Sequence, residues 1–388
     1  MLSNTSSRPP LCSIALMCCL LQSGLILVSE SSADESGEQR IYPLRLVRIQ
    51  DPKPLLADHP QFVEPIRETS RYEAPMLVND DGADLSVRAW RTQFNARGII
   101  EMPNRLKAAK TAIIVVHPWG INDGQGWRLP QPAGFAFASP PARRNIERHL
   151  QQVINPFLKS MRGKTGLVMY SLPRREDPIR RKLYRSFDHR PTADERRQGR
   201  IELTTKLKNF NYQAGSLPKQ LTISKENPVR DYFRQFNGGK FGDHYNGPGY
   251  WDLPIPVHSA IDVDPHDVVI YDGDGYEALK RFLREHGIAH VLLCGYSCSK
   301  CYRGTTAGYD NLRNDFNVFL VGDATLDNRL MVDTVRFATA GQLAEISREN
   351  LITQVSWIRS DKHNTVDAEK IPQTQKRFQP VEKRSRNP

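Results

Sequence analysis

The pattern of hydrophobic and polar positions changes at about residue 111. Beyond it, short runs of β-branched and other apolar residues alternate with longer amphipathic stretches. Continuous apolar runs of about four to eight residues are typical of strands buried on both faces of a parallel sheet, and apolar residues three and four positions apart indicate helices. The first predicted strand begins at Thr111, and the others cover 166–171, 267–272, 290–295, 317–323 and 352–358. The predicted helices cover 142–161, 275–286, a segment after Ser299, and 328–346.

This alternation predicts the fold class. Strand, helix, strand units have right-handed crossovers and build parallel sheets with helices on both faces. We therefore expect a three-layer α/β/α domain with a doubly wound, mainly parallel sheet over residues 107–360. No internal repeat is found in the sequence.

Two segments depart from the pattern. Residues 34–106 have short alternating runs separated by turn residues, which predict a β-rich or irregular extension. Residues 173–263 are rich in Arg, Lys, Asp and Pro and are too long for a plain connection, so they are interpreted as an insertion. A capping-box pattern at Thr192 and Glu195 predicts a helix inside it. The insertion either covers a site or is a solvated decoration.

The first 33 residues have the order of a secretory signal peptide. Arg8 precedes an apolar run from Leu11 to Val28, and small residues lead to Ala33, where cleavage is expected. A membrane anchor is the alternative, but polar residues interrupt the run and no cationic cluster follows it. No later apolar segment reaches the roughly 20 residues that a membrane-spanning helix needs. We expect an exported protein, periplasmic or extracellular, with no transmembrane segment after signal removal.

The formal net charge of +11 changes the picture little. The basic residues are spread over many stretches and interleaved with acidic ones, which favours a solvated basic surface. No zinc-finger or RNA-recognition signature accompanies the charge, so no specific nucleic-acid partner is expected. The tail 361–388 is polar and basic and is predicted to be disordered.

The positions of the cysteines limit the roles that they can have in the protein. Three of the six cysteines lie in the signal segment, and Cys294, Cys298 and Cys301 lie within eight residues, so no disulfide can join distant parts of the chain. The remaining interpretations are a nucleophile, a local disulfide or redox pair, a metal site and buried packing. A zinc or iron–sulfur site would need a fourth ligand, and Cys294 falls in a predicted strand. We assign no metal and no cofactor.

Ligands of open parallel sheets bind beyond the carboxyl ends of the strands. His117, Ser171, Asp272 and Asp323 follow predicted strands, and Cys301 lies in the first turn of the helix after the strand 290–295. Backbone N–H groups at such a turn stabilise a thiolate and can receive a developing oxyanion. The alternative is a small buried residue that closes the helix against the sheet.

In the segment 291–323, Gly295 stands six residues before Cys301, and an apolar strand follows that ends in Asp323 and Ala324. This segment resembles the core of the isochorismatase-like cysteine hydrolases. The resemblance implies that Cys301 is a nucleophile that attacks an amide-type carbonyl carbon and forms a thioester. It also implies an oxyanion hole made of the backbone N–H groups of Ser297 and Cys301.

The same segments depart from the pattern of the family. His117 stands where the family has an aspartate base, and Tyr271 and Asp272 stand near the position of its lysine. Either His117, Asp272 and Cys301 form a set in which His117 is the base and Asp272 orients it, or the fold has lost hydrolysis and binds ligands only.

Four aromatic residues are candidate contacts for a small-molecule substrate, with ordinary packing as the alternative. Trp119, Tyr271 and Tyr296 lie near strand ends, and Trp251 lies in the stretch at the end of the insertion. Self-association into a homo-oligomer is left open by the sequence.

Overall fold

A computed structural model describes residues 41–93, 95–125, 140–210, 219–234, 253–296, 301–326 and 354–355. The predicted signal segment 1–33, the predicted helix 328–346 and the tail 361–388 lie outside this part of the chain. Within the described ranges, no helix is long and apolar enough to cross a membrane.

Ten strands form one sheet in the order β1-β2-β4-β3-β10-β9-β8-β5-β6-β7. Their bounds are β1 Val47–Arg48, β2 Arg71–Glu73, β3 Leu85–Gln93, β4 Gly98–Leu106, β5 Thr111–Val116, β6 Leu167–Leu172, β7 Val268–Tyr271, β8 His290–Tyr296, β9 Asn317–Leu326 and β10 Gln354–Val355. The six strands from β10 to β7 in this order are parallel to one another. β5, β6, β7 and β8 are buried along their whole length, as expected for strands covered on both faces.

The helices account for the other two layers. Their bounds are α1 Pro140–His149, α2 Asn155–Met161, α3 Pro178–Leu183, α4 Ala193–Lys208, α5 Pro228–Arg234, α6 Tyr276–Glu285, α7 Cys301–Gly304 and α8 Tyr309–Leu312. A π-helical turn, Leu150–Ile154, joins α1 to α2. The predicted helix after Ser299 is instead two short helices, because glycines at 304 and 308 interrupt it.

The sheet is doubly wound, which confirms the predicted fold class. From β5 the chain proceeds through β6 to β7 at one edge, then returns to β8 on the other side of β5 and continues through β9 to β10. Right-handed crossovers place helices on opposite faces when the direction of winding reverses. The reversal lies between β5 and β8, and this is where an open α/β sheet binds its ligand.

The N-terminal extension continues this sheet. β3 pairs antiparallel with β10 and with β4, and β2 and β1 follow outward. Trp90 of β3 is opposite Gln354 of β10, so this pairing joins segments more than 250 residues apart in sequence. Sequence periodicity predicted a β-rich or irregular extension and carried no information about its partner.

The helix predicted inside the insertion is present as α4. Thr192 is its N-cap, the Thr192 hydroxyl accepts from the Glu195 N–H, and the Glu195 carboxylate accepts from the Thr192 N–H. Leu203 and Leu207 on one side of α4 join the main core. The capping box thus begins a helix that attaches the insertion to the domain.

Replacing Thr192 by Ala is expected to lower the free energy of unfolding by about 1 kcal/mol, because one N-terminal N–H group of α4 loses its acceptor. Urea denaturation followed by circular dichroism measures the change. Thr205→Ala is the control, since Thr205 is exposed in the interior of the same helix, where Ala has the higher helix propensity. An equal loss of stability in both variants would contradict the cap assignment.

Candidate active site

Strands β5 and β8 come into close contact near their ends, at the point where the winding of the sheet reverses. Val116 at the end of β5 is opposite Gly295 in β8. Gly295 has a φ of 110°, and a Cβ built on it would lie 2.3 Å from the Val116 carbonyl oxygen. Only glycine allows this approach. The glycine of the predicted motif therefore brings the chain that leads to Cys301 against the strand that leads to His117.

His117 is held in an uncommon backbone conformation. Its φ is 50°, in the left-handed region that histidine tolerates better than most residues. Its N–H donates to the Ser171 carbonyl oxygen at 3.0 Å, and its own carbonyl oxygen accepts from the Trp119 N–H at 2.8 Å. Such conformations persist where surrounding structure enforces them, and they are concentrated at functional sites. The backbone that carries the imidazole is consequently held by two main-chain hydrogen bonds.

Asp272 is the hydrogen-bond partner of the His117 ring. The distance from His117 Nε2 to Asp272 Oδ2 is 3.0 Å, and the Ser171 hydroxyl donates to Asp272 Oδ1 at 3.4 Å. The Thr306 hydroxyl donates to the Asp272 carbonyl oxygen at 2.6 Å. Because Thr306 follows α7, this bond ties the loop after Cys301 to the end of β7.

Cys301 is the first residue of α7, is half-buried and packs against the core. It acts directly on His117. Burial disfavours the charged imidazolium, but the interactions with Asp272 and Cys301 outweigh it and raise the pKa of His117 to about 9. An imidazolium at neutral pH beside a cysteine is the arrangement that stabilises a thiolate.

Among the predicted aromatic contacts, Trp119 lies beside this set. Its ring centroid is 4.7 Å from that of His117, with the two planes tilted by 31°. Trp251, and Ser297 of the predicted oxyanion hole, lie outside the described residues, as does Cys298.

The two predicted tyrosines are buried and are held by helices. The Arg180 guanidinium of α3 lies 4.6 Å from the centre of the Tyr271 ring. The Tyr296 hydroxyl is 2.8 Å from Nδ1 of His149, the last residue of α1. Both tyrosine side chains therefore contact residues of helices that pack on the sheet, and the spacing of residues in the sequence does not predict these contacts.

His149 is a buried residue that the sequence did not single out. Its Nε2 is 2.8 Å from the Asp323 carbonyl oxygen. Since a carbonyl only accepts, Nε2 carries the proton and Nδ1 accepts from the Tyr296 hydroxyl. Burial lowers the pKa of His149 to about 3, which agrees with a neutral ring. This bridge fixes the end of β8 just before the turn to Cys301. No sequence signal distinguished this histidine from any other on an amphipathic helix.

Cys294 is a packing residue. It is fully buried, its thiol donates to the Ile114 carbonyl oxygen at 3.6 Å, and burial raises its pKa. Within the part of the chain that the structure describes, no group of three or more His, Cys, Asp or Glu side chains is placed to hold a metal ion. Of the interpretations open for the cysteine cluster, burial therefore accounts for Cys294.

Comparisons with known proteins find similarity only among solved structures. No family model matches this chain, and no curated protein matches it. A cysteine hydrolase from Pseudomonas syringae pv. phaseolicola is 16% identical, with a TM-score of 0.31 over 62% of this chain and 84% of that one. An isochorismatase family protein from Burkholderia thailandensis is 14% identical, with a TM-score of 0.30 over 64% of this chain and 91% of that one.

A pyrazinamidase of Pyrococcus horikoshii is 17% identical, with a TM-score of 0.26 over 56% of this chain and 86% of that one. The resemblance seen in the sequence thus extends to solved structures, as a distant similarity. The fold itself is established by the strand order, and the chemistry has to be argued from the site.

Proposed function

We propose that this protein is a cysteine hydrolase that cleaves a C–N bond of amide type through a thioester on Cys301. One observation carries the proposal. The buried His117 ring lies 3.0 Å from Asp272 Oδ2 and also interacts with Cys301, and these two neighbours raise its pKa to about 9. A protonated imidazole beside a half-buried thiol is the resting state of an activated nucleophile.

The reaction divides into two steps. In the first, the Cys301 thiolate attacks the carbonyl carbon of the amide, the C–N bond breaks, and the His117 imidazolium gives its proton to the leaving amine. In the second, neutral His117 takes a proton from water as the oxygen attacks the thioester carbon. The products are a carboxylic acid and the thiolate, with His117 again protonated. Asp272 stabilises the imidazolium and orients the ring throughout.

The developing oxyanion needs donors that are already in place. We propose that the backbone N–H groups of Ser297 and Cys301 supply them, as the resemblance to the isochorismatase-like cysteine hydrolases implies. Trp119, which lies against the His117 ring, and Trp251 are proposed as walls for the substrate.

The thioester is the state to detect. The full chain is incubated with a panel of activated small amides, and intact-mass spectrometry is expected to show an acyl adduct that peptide mapping places on Cys301. Cys301→Ala is expected to abolish both the adduct and amide turnover, because the attacking atom is lost. Cys298→Ser is the matched control and is expected to keep both. An adduct that persists in Cys301→Ala, or moves with Cys298, would refute the assignment of the nucleophile.

A further inference from the structure

A cavity separate from the candidate active site lies between helices α3 and α4 of the insertion and the segment that leads from the insertion to β7. Its volume is about 290 Å³, and its walls come from the end of α3, from α4 and from the segment 257–267. The cavity is lined by neither Cys301, His117 nor Asp272. It is therefore a separate candidate for binding.

Three arginines in its walls have no acidic partner among the described residues. Arg185, Arg196 and Arg200 line the cavity, and none forms an ion pair with a carboxylate of the described chain. Arg185 donates to the His266 carbonyl oxygen at 3.1 Å, but a carbonyl does not neutralise a guanidinium. Burial, together with the charge of Arg190, lowers the pKa of Arg185, the direction expected for a guanidinium without a counter-charge.

The carboxylates in the same walls are already engaged. Asp267 accepts hydrogen bonds from Arg162 and from the Tyr170 hydroxyl, at 2.8 and 2.7 Å. Asp264 Oδ1 is 2.8 Å from His266 Nδ1. Asp267 is therefore neutralised by Arg162, and the Asp264 carboxylate is directed at His266, so neither forms an ion pair with one of the three arginines.

An independent donor comes from His258, which also lines the cavity and is 1% exposed. Its Nδ1 accepts from the Ala260 N–H at 3.1 Å, so Nε2 carries the proton of the neutral ring. Burial and the charge of Arg143 lower the pKa of His258 to about 4, so the ring is neutral at pH 7. Nε2 is buried and has no hydrogen-bond partner among the described residues. A buried donor of this kind requires an acceptor.

We propose that this cavity binds a small molecule through an oxyanion group, a phosphate or a carboxylate. Guanidinium groups donate pairs of parallel N–H bonds to either anion, and a neutral imidazole N–H adds a further donor. The cavity volume suits a small metabolite rather than a polymer. The ligand replaces the acidic partners that Arg185, Arg196 and Arg200 lack.

The main chain connects this cavity to the active site. The segment that carries His258 pairs with the loop after β5: Val257 forms a bridge with Trp119, and the His258 N–H donates to the Pro118 carbonyl oxygen at 2.8 Å. The segment that would contact the ligand through His258 is thus the segment that pairs with the loop carrying Trp119. Trp119 in turn lies against the His117 ring.

Calorimetric titration of the full chain tests the proposal, with inorganic phosphate in one arm and citrate in the other, at constant ionic strength. The wild type is expected to bind one of them saturably, and the arm that binds identifies the anion. The variant Arg196→Gln/Arg200→Gln is expected to weaken binding by at least about tenfold, as charge-assisted hydrogen bonds are lost. Circular dichroism checks that this variant, changed on a helix surface, is folded.

Arg197→Gln is the matched control, because Arg197 lies on the same helix, pairs with Asp194 and does not line the cavity. Its binding is expected to stay within about twofold of the wild type. Absence of saturable binding of both anions to the wild type would overturn the proposal. Equal weakening in the Arg197 control would also overturn it, since it would show attraction by surface charge alone. Hydrolysis is not the readout, so the result is independent of the proposed reaction.

Discussion

Replacing His117 by Ala is expected to slow alkylation of Cys301 at pH 7 by about tenfold. An ordinary thiol with a pKa near 8.5 is only a few per cent thiolate at pH 7, whereas a thiol paired with an imidazolium is mostly thiolate. The gain in alkylation rate is smaller than the gain in thiolate fraction, because a more stable thiolate is a weaker nucleophile. The His117 pKa of about 9 keeps the imidazolium present over this range.

The measurement is the rate of iodoacetamide labelling of Cys301 as a function of pH, read by peptide mapping. The wild type is expected to reach its plateau well below pH 8.5, and His117→Ala near pH 8.5. His266→Ala is the control, since that ring is largely exposed and bonds to Asp264. A midpoint near 8.5 in the wild type and in His117→Ala alike would leave a ligand-binding protein as the better interpretation of this fold.

Replacing Asp272 by Asn is expected to move the alkaline limit of amide hydrolysis from about pH 9 toward about pH 6.5. His117 must be protonated to donate to the leaving amine, so activity falls as pH rises through its pKa. In the wild type that pKa is about 9. Without the Asp272 charge, Cys301 alone opposes the effect of burial, so the His117 pKa falls from about 9 toward its ordinary value of about 6.5.

The pH dependence of kcat/KM, together with an NMR titration of the His117 ring, measures this effect. The ring titration reports the charge of His117 even where turnover is slow. Asp274→Asn is the matched control: this carboxylate lies two residues away and accepts from the Tyr271 N–H at 2.9 Å. Its alkaline limit is expected to stay near pH 9. An unchanged limit in Asp272→Asn would show that Asp272 does not set the charge of His117.

The apolar runs and helical spacing from residue 111 to 323 determined most of the α/β core. They are local signals, because a strand buried on both faces must be apolar throughout and a helix must carry one apolar side. The N-cap of α4 was equally legible, since the Thr192 and Glu195 pair is itself a local hydrogen-bonded unit. Because ligands of open parallel sheets bind beyond the carboxyl ends of the strands, their positions in the sequence alone make His117 and Asp272 candidate site residues.

Only the tertiary structure decided which groups touch. The pairing of β3 with β10, the Arg180 neighbour of Tyr271 and the bond between His149 and Tyr296 all join segments far apart in the chain. Such contacts depend on how layers stack and on which edges meet, and local periodicity carries no record of either. The 3.0 Å contact between His117 and Asp272 is of the same kind. The sequence determined the residue types at the strand ends. The charge state of His117 depends on burial and on neighbours that only folding brings together.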